Sequence, residues 1–259
     1  MKFPKKFDKY EYIAWHENKF KDDIGLEQKL EDFRNNLKQS ANSELEFISN
    51  IIQSVSSIAS NEFRIQYGIA LDVDLPLIKT LINKKSSNSE YNLLFKSVDS
   101  IINKLWRKNK QGEDIQISNI QENINDLVRT EITTPTLESC KFLAERLQRH
   151  NIYFPDKKQE KEFKEKVKVI SFEPEMKMAS GYFAYHGKVE FSSNLTVEVQ
   201  IYSNLMKSWR KLSHKLYEKA RVRTIDKQLD YGTTETRMIS LGHLLHLAEC
   251  ELTRLDNEL

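Results

Sequence analysis

The stretch Leu195-Thr196-Val197-Glu198-Val199-Gln200-Ile201-Tyr202 decides how the chain folds. Leu195, Val197, Val199 and Ile201 alternate with Thr196, Glu198 and Gln200, which is the period of a half-buried strand. That period buries the aliphatic residues and sets Glu198 and Gln200 together on one open face. Just upstream, Gly181 to Phe191 reads as a second strand, and Ser192-Ser193-Asn194 between them reads as a hairpin-like break. Tyr182, Ala184 and His186 share a phase. Pairing of the two strands brings a carboxylate, an amide, an aromatic ring and an imidazole onto one surface.

Outward from this pair, Leu127 to Thr133 has the β-branched content of a strand, and Tyr91 to Lys96 reads as a short one. Helical spacing governs Leu26 to Leu37, Leu45 to Ile58, Val98 to Trp106, Leu137 to Arg149, Leu205 to Arg221 and Met238 to Leu255. Gln111 to Asn123 is polar and reads as a loop. Pro155 to Lys168, dense in Lys and Glu, reads as a solvated helix or surface excursion.

The composition narrows the field. In 259 residues, 39% are hydrophobic and 30% charged, enough apolar content for a core and too much for a disordered chain. Lys and Arg number 40 against 38 Asp and Glu, so bulk charge predicts no nucleic-acid partner and any anion site must be local. Cys140 and Cys250 give no disulfide framework and suit a reducing cytoplasm. The lysines near Met1 have no apolar run behind them, and no stretch approaches the roughly 20 apolar residues of a membrane span. A cytoplasmic protein with no membrane partner is expected.

Val197-Glu198-Val199-Gln200-Ile201, followed by Trp209 and His214, resembles the synthetase signature of the RelA/SpoT family. Gly181-Tyr182-Phe183-Ala184-Tyr185-His186 is similar to that family's Gly-Tyr-x-x-x-His, and Asp126-Leu127-Val128 to its Asp at the head of a strand. Lys96, Ser100 and Lys104 match its Lys-x-x-x-Ser-x-x-x-Lys entering a helix. The four matches occur in the family's order between Tyr91 and Lys219.

This resemblance implies an α+β, nucleotidyltransferase-like synthetase fold: a mixed sheet of about five strands flanked by helices. Residues 1–88 are expected to form an N-terminal helical region and 89–259 the synthetase domain with its C-terminal helices. It implies transfer of pyrophosphate from ATP to the 3′-hydroxyl of GDP or GTP, an alarmone synthesis assisted by Mg²⁺. Asp126 and Glu198 would hold the metal, and Glu198 would also activate the acceptor hydroxyl. Lys96, Ser100 and Lys104 would contact ATP phosphates, Tyr182 would stack on the acceptor base, and His186 and Gln200 would order the acceptor side. There is no Gly-x-x-x-x-Gly-Lys loop, so ATP binding would use no P-loop. With no hydrolase His-Asp signature upstream, synthesis alone is expected.

Three arginines of the family pattern are replaced here, by Leu94, Glu131 and Tyr202. Arginine forks bind phosphate bidentately, so each replacement should weaken or reshape the anion site. Arg129 and Lys177 could supply compensating charge, on the ATP and acceptor sides respectively. The departures keep two other readings open. One is a toxic relative that pyrophosphorylates the tRNA 3′-CCA end or an adenine nucleotide, with a neutralising antitoxin. The other is an inactive nucleotide-binding regulator. The apolar helix faces at Leu26 to Ile58 and Met238 to Leu255 could serve the core or a homo-oligomer. His243, His246 and Cys250 share a helical face, but with no fourth ligand they read as bordering an apolar stripe rather than as a zinc site.

Overall fold

The computed structural model describes residues 1–68, 70–83, 88–149, 157–177, 180–222 and 232–258, except the side chains of 82–83, 88, 174–177, 214, 216–222 and 256–257. Four strands form one mixed sheet: β1 (Val128–Thr134), β2 (Val167–Lys177), β3 (Tyr182–Phe191) and β4 (Thr196–Ser203). Their order is β1-β4-β3-β2, with β1 parallel to β4 and the other pairs antiparallel. β3 and β4 form the expected hairpin. Its turn closes through Asn194, which sits in the left-handed region at φ 65° and donates its backbone N–H to Phe191 O at 3.0 Å.

The sheet has four strands rather than about five. The first half of the stretch from Tyr91 to Lys96 lies in the helix α5 (Asn88–Leu93), and the second half meets β1 only through an isolated bridge between Phe95 and Val128. A run this short fits either period, and Tyr91, Leu94 and Phe95 all reach the core from a helical turn. A second isolated bridge, Asp74 to Thr133, covers the other end of the same edge. These two bridges occupy the outer edge of β1 where a fifth strand would lie. The long strand β2 carries Pro174 and lies at the opposite edge, where a missing N–H leaves no ladder bond unmade.

Helices α2 (Leu26–Ser40) and α3 (Asn42–Tyr67) bury Leu26, Leu30, Leu37, Leu45, Ile48, Ile52 and Val55, as their spacing predicts. They share one core with Ile101, Ile102 and Leu105 of α6 (Val98–Lys110) and with Val197, Val199 and Ile201 of β4. The segment Gln111 to Asn123 is not a plain loop. It holds a 3₁₀ turn and the one-turn helix α7 (Ile120–Asn123), and it buries Ile115 and Ile120. A buried polar chain ties the N-terminal helix α1 (Lys9–Lys19) to α6: Asn109 donates to Tyr12 Oη at 2.8 Å. Tyr12 in turn meets His16 Nδ1 at 3.1 Å, and His16 Nε2 meets Asp23 at 2.7 Å. Each buried polar group in that chain has a partner, as burial demands. The chain fixes the helix that carries Ser100 and Lys104.

The helix α8 (Leu137–Gln148) opens on a reciprocal Thr136–Ser139 cap, and α9 (Lys157–Lys166) carries Lys–Glu pairs at i,i+4 on its exposed side. The short α4 (Pro76–Asn83) packs on α3 and β1; of the last two helices, α10 (Asn204–Val222) leaves the end of β4, and α11 (Thr234–Glu258) packs on α10, β3 and α8. α11 comes so close to the start of β3 that side chains are excluded. A Cβ on Gly242 would lie 2.2 Å from Gly181 O, and Gly181 itself has φ +69°. The glycine before Tyr182 therefore has a structural reason to be glycine. Among the described residues no helix is long and apolar enough to cross a membrane.

Glu249 of α11 is buried, and its Oε1 has no hydrogen-bond partner. Burial pushes its carboxyl above the usual carboxylate range. The folded state therefore favours the protonated form, so stability is greatest below the ordinary carboxylate value and falls as pH rises through the raised one. Glu249→Gln should be more stable than the parent at neutral pH by about 1 kcal/mol, with a smaller decline between acid and neutral pH. Denaturant melts of both proteins across that range check this, and an unchanged slope would contradict it.

Candidate functional site

Backbone pairing brings the first half of the site together. Lys96 N–H donates to Leu127 O at 2.9 Å, and Arg129 N–H donates to Leu94 O at 2.8 Å, so Lys96 is held beside the residue that precedes β1 by two positions. Arg34 of α2 fixes the same segment from below, donating to Lys96 O and Asn92 O at 3.1 Å each. Lys96 Nζ then lies 2.6 Å from Asp126 Oδ2, and Lys104 Nζ, two helical turns along, lies 3.5 Å from Oδ1. Ser97 caps α6 by accepting from Ser100 N–H, and its hydroxyl also donates to Ser100 Oγ at 2.9 Å.

Burial pushes the Asp126 carboxyl up, but the charge and hydrogen bond of Lys96, with Lys104 adding to them, outweigh it and hold it below the usual range. Burial lowers Lys96 against the pull of Asp126. Asp126 Oδ1 is buried and makes no hydrogen bond. Its neighbour is Lys104, in the long 3.5 Å ion pair.

The register of the sheet supplies the other half. Arg129, Glu198 and Lys188 lie side by side across β1, β4 and β3, and Glu131, Gln200 and His186 form the next row on the same face. Glu198 Oε1 is 2.9 Å from His186 Nδ1, and His186 Nε2 is 3.3 Å from Tyr182 Oη. Burial pushes Glu198 up, and the hydrogen bond and charge of His186 more than reverse it, so its carboxyl sits below its ordinary range. The charge of Asp126 is also felt at Glu198 and works in the opposite direction. The Tyr182 ring is backed by Trp209, 6.4 Å between centroids, and Trp209 is itself fixed by donating to Met238 O at 2.7 Å. Trp209 packs behind the Tyr182 ring.

The sequence-predicted residues Lys96, Ser100, Lys104, Asp126, Arg129, Tyr182, His186, Glu198 and Gln200 therefore fall on α6 and on one face of the sheet beside it. The side chains of Lys177 and His214 lie outside the described residues. His246 stacks on Phe183 at 3.7 Å, on the other face of β3, and its nearest sulfur is Cys250 Sγ at 3.6 Å from Nε2. Among the described residues no three His, Cys, Asp or Glu side chains gather for a metal.

The three replaced arginines resolve differently. Leu94 turns into the core. Glu131 and Tyr202 meet a residue that the motif reading passed over, Arg210 of α10. Its Nη1 donates to Glu131 Oε2 at 3.1 Å and to Tyr202 Oη at 2.8 Å, and the tyrosine hydroxyl also donates to Glu131. The available signal was an arginine directly after Trp209, but its partners depend on the strand register.

Two groups therefore meet the eye, the Lys96–Asp126–Lys104 cluster ahead of β1 and the Glu198–His186–Tyr182 row on β4 and β3. The family described as a region found in RelA / SpoT proteins matches residues 95–222, a span that holds every one of the clustered residues. Residues 95–222 are a RelA/SpoT-family region. None of the curated proteins matches the sequence. Among solved structures it is similar to the small alarmone synthetase 2 from Bacillus subtilis, at 18% identity over 85% of this chain and 98% of that one, with a TM-score of 0.48. The small alarmone synthetase 1 from the same organism gives 16%, 79%, 93% and 0.42. A GTP pyrophosphokinase family protein from Streptococcus pneumoniae gives 17%, 82%, 92% and 0.45.

Proposed function

We propose that this chain is an ATP-dependent pyrophosphokinase that modifies the 3′-hydroxyl of GDP or GTP. The observations that carry the reading are the Lys96–Asp126–Lys104 cluster just ahead of β1 and the Glu198–His186–Tyr182 row on the sheet, where Glu198 pairs with Arg129 of β1. The first is a cationic cradle with a carboxylate at its centre, and the second places a carboxylate beside an aromatic platform.

Asp126 and Glu198 suit Mg²⁺, a hard cation that takes one or two protein carboxylates and completes its shell with phosphate oxygens and water. The buried Asp126 Oδ1, met by the long 3.5 Å ion pair of Lys104, fits that role. When bound, the ion screens the triphosphate charge and stabilises charge on the transferring group. The chain's own residues do the rest. Lys96, Lys104 and Arg129 face the triphosphate, and Ser100 offers a hydroxyl at the head of α6. Tyr182 stacks on the acceptor base, a contact worth roughly 1–3 kcal/mol, and Trp209 keeps its ring in place. His186 orients Glu198, which is ionised at neutral pH and accepts the 3′-hydroxyl proton. The acceptor oxygen forms a bond to the β-phosphorus as the bond from that phosphorus to the α,β-bridging oxygen breaks. AMP leaves with the bridging oxygen.

Release of AMP from ATP and Mg²⁺, compared with GDP, GTP, ATP and bulk tRNA as acceptors, tests the proposal. AMP formed with GDP or GTP is the expected result. AMP formed only with tRNA, with a steep salt dependence, would move the acceptor to the tRNA 3′ end. Saturable nucleotide binding without AMP from any acceptor would leave a regulator.

A further inference from the structure

We infer that Arg210 is a phosphate-binding residue of the nucleotide site, held ready by Glu131, which acts as its counter-ion until a nucleotide arrives. The inference rests on the proposed function and adds a residue to it. Arg210 reaches the sheet from α10, outside the strand and loop motifs that mark the site. It meets the two sheet positions, 131 and 202, where arginine is replaced. The guanidinium is thereby returned to the face from a different element.

The geometry leaves the group available. Both protein contacts use Nη1, so the two N–H bonds of Nη2 and the one of Nε have no acceptor among the described residues. The side chain is 15% exposed and the Glu131 side chain 38%, so the pair is accessible at its acidic partner rather than sealed in the core. The guanidinium also lies over the Tyr202 ring, 5.1 Å from its centroid, which fixes its plane. A planar fork with free parallel donors, bonded to the Glu131 that shares its sheet row with Gln200 and His186, matches a phosphate. Glu131 is the local competitor: its carboxylate occupies one edge of the fork and weakens the field that a phosphate meets.

A phosphate of either the donor or the acceptor could supply this chemistry, and binding measurements separate them. Dissociation constants would be measured for GDP, guanosine, a non-hydrolysable ATP analogue and adenosine, on the full chain and on Arg210→Gln and Glu131→Gln, with thermal melts of each. Arg210→Gln should lower the preference of one polyphosphate nucleotide over its nucleoside by roughly tenfold, leaving the nucleoside's own affinity unchanged. Glu131→Gln should strengthen binding of that same nucleotide several-fold. The nucleotide affected identifies the phosphate. A purely structural ion pair predicts instead that both variants lower the melting temperature alike and shift neither preference, and that result would overturn the inference. Should Arg210→Gln fail to fold, Glu131→Gln decides alone, because it keeps the arginine and its bond to Tyr202. If the unaltered chain binds neither GDP nor the ATP analogue, the proposed function falls and this inference with it. Intact binding with unshifted preferences removes only the role of Arg210.

Discussion

Glu198→Gln should lower the rate of pyrophosphoryl transfer by roughly 10³-fold while leaving the melting temperature almost unchanged. The amide keeps the size of the carboxylate and can still accept from His186 Nδ1, now 2.9 Å from Oε1. It loses the negative charge that would accept the 3′-hydroxyl proton and help hold the metal. The loss should fall on kcat and spare the affinity for ATP, because the cationic cradle around Asp126 does not depend on it. Steady-state rates and a direct ATP titration measure the two separately. Transfer at the parent rate would remove Glu198 from its role and leave His186 holding a surface carboxylate of no consequence.

Asp126→Asn should be comparably damaging and should carry a stability cost that Glu198→Gln lacks. Lys96 is buried, and its ammonium relies on Asp126 at 2.6 Å. Converting the carboxylate to an amide leaves that ammonium without a counter-ion, at a cost of about 2 kcal/mol once partial exposure of the aspartate is allowed for. Activity should fall by roughly 10³-fold, and added Mg²⁺ should not restore it. Adding Lys96→Met should recover stability and none of the activity. The pair therefore separates folding from chemistry. Recovery of transfer at high Mg²⁺ would show that Asp126 contributes affinity for the ion and little else. The folded-state pKa of Asp126 is depressed, so the Lys96–Asp126 contribution to stability is present above the ordinary carboxylate range and lost as pH falls through the lowered value.

The parts of the fold legible in the sequence are those with an unambiguous period. Leu195 to Tyr202 alternates without interruption, and the helices bearing Leu26 to Ile58 repeat cleanly, so both formed as read. Tyr91 to Lys96 is six residues long and served a helix and one bridge, because a run of that length fits both periods. Strand β2 escaped because an edge strand needs few apolar residues and tolerates a proline, so Val167 to Lys177 carries little signal. The clustering of the site residues was legible for a related reason. Glu198, Gln200 and His186 lie on strands whose phase fixes their face, and Lys96, Ser100 and Lys104 are spaced by four. Arg210 was not legible. Its contact with Glu131 joins residues 79 apart in the chain, and it exists only because the β1–β4 register places Glu131 and Tyr202 near one another.

The identity of the transferred group tests the account most directly. Incubation with ATP, Mg²⁺ and GDP, followed by mass measurement of the nucleotides, should show AMP and GDP heavier by two phosphates appearing in equal amounts. Production of ADP in place of AMP, or AMP without a heavier acceptor, would contradict pyrophosphoryl transfer and with it the roles given to Asp126 and Glu198.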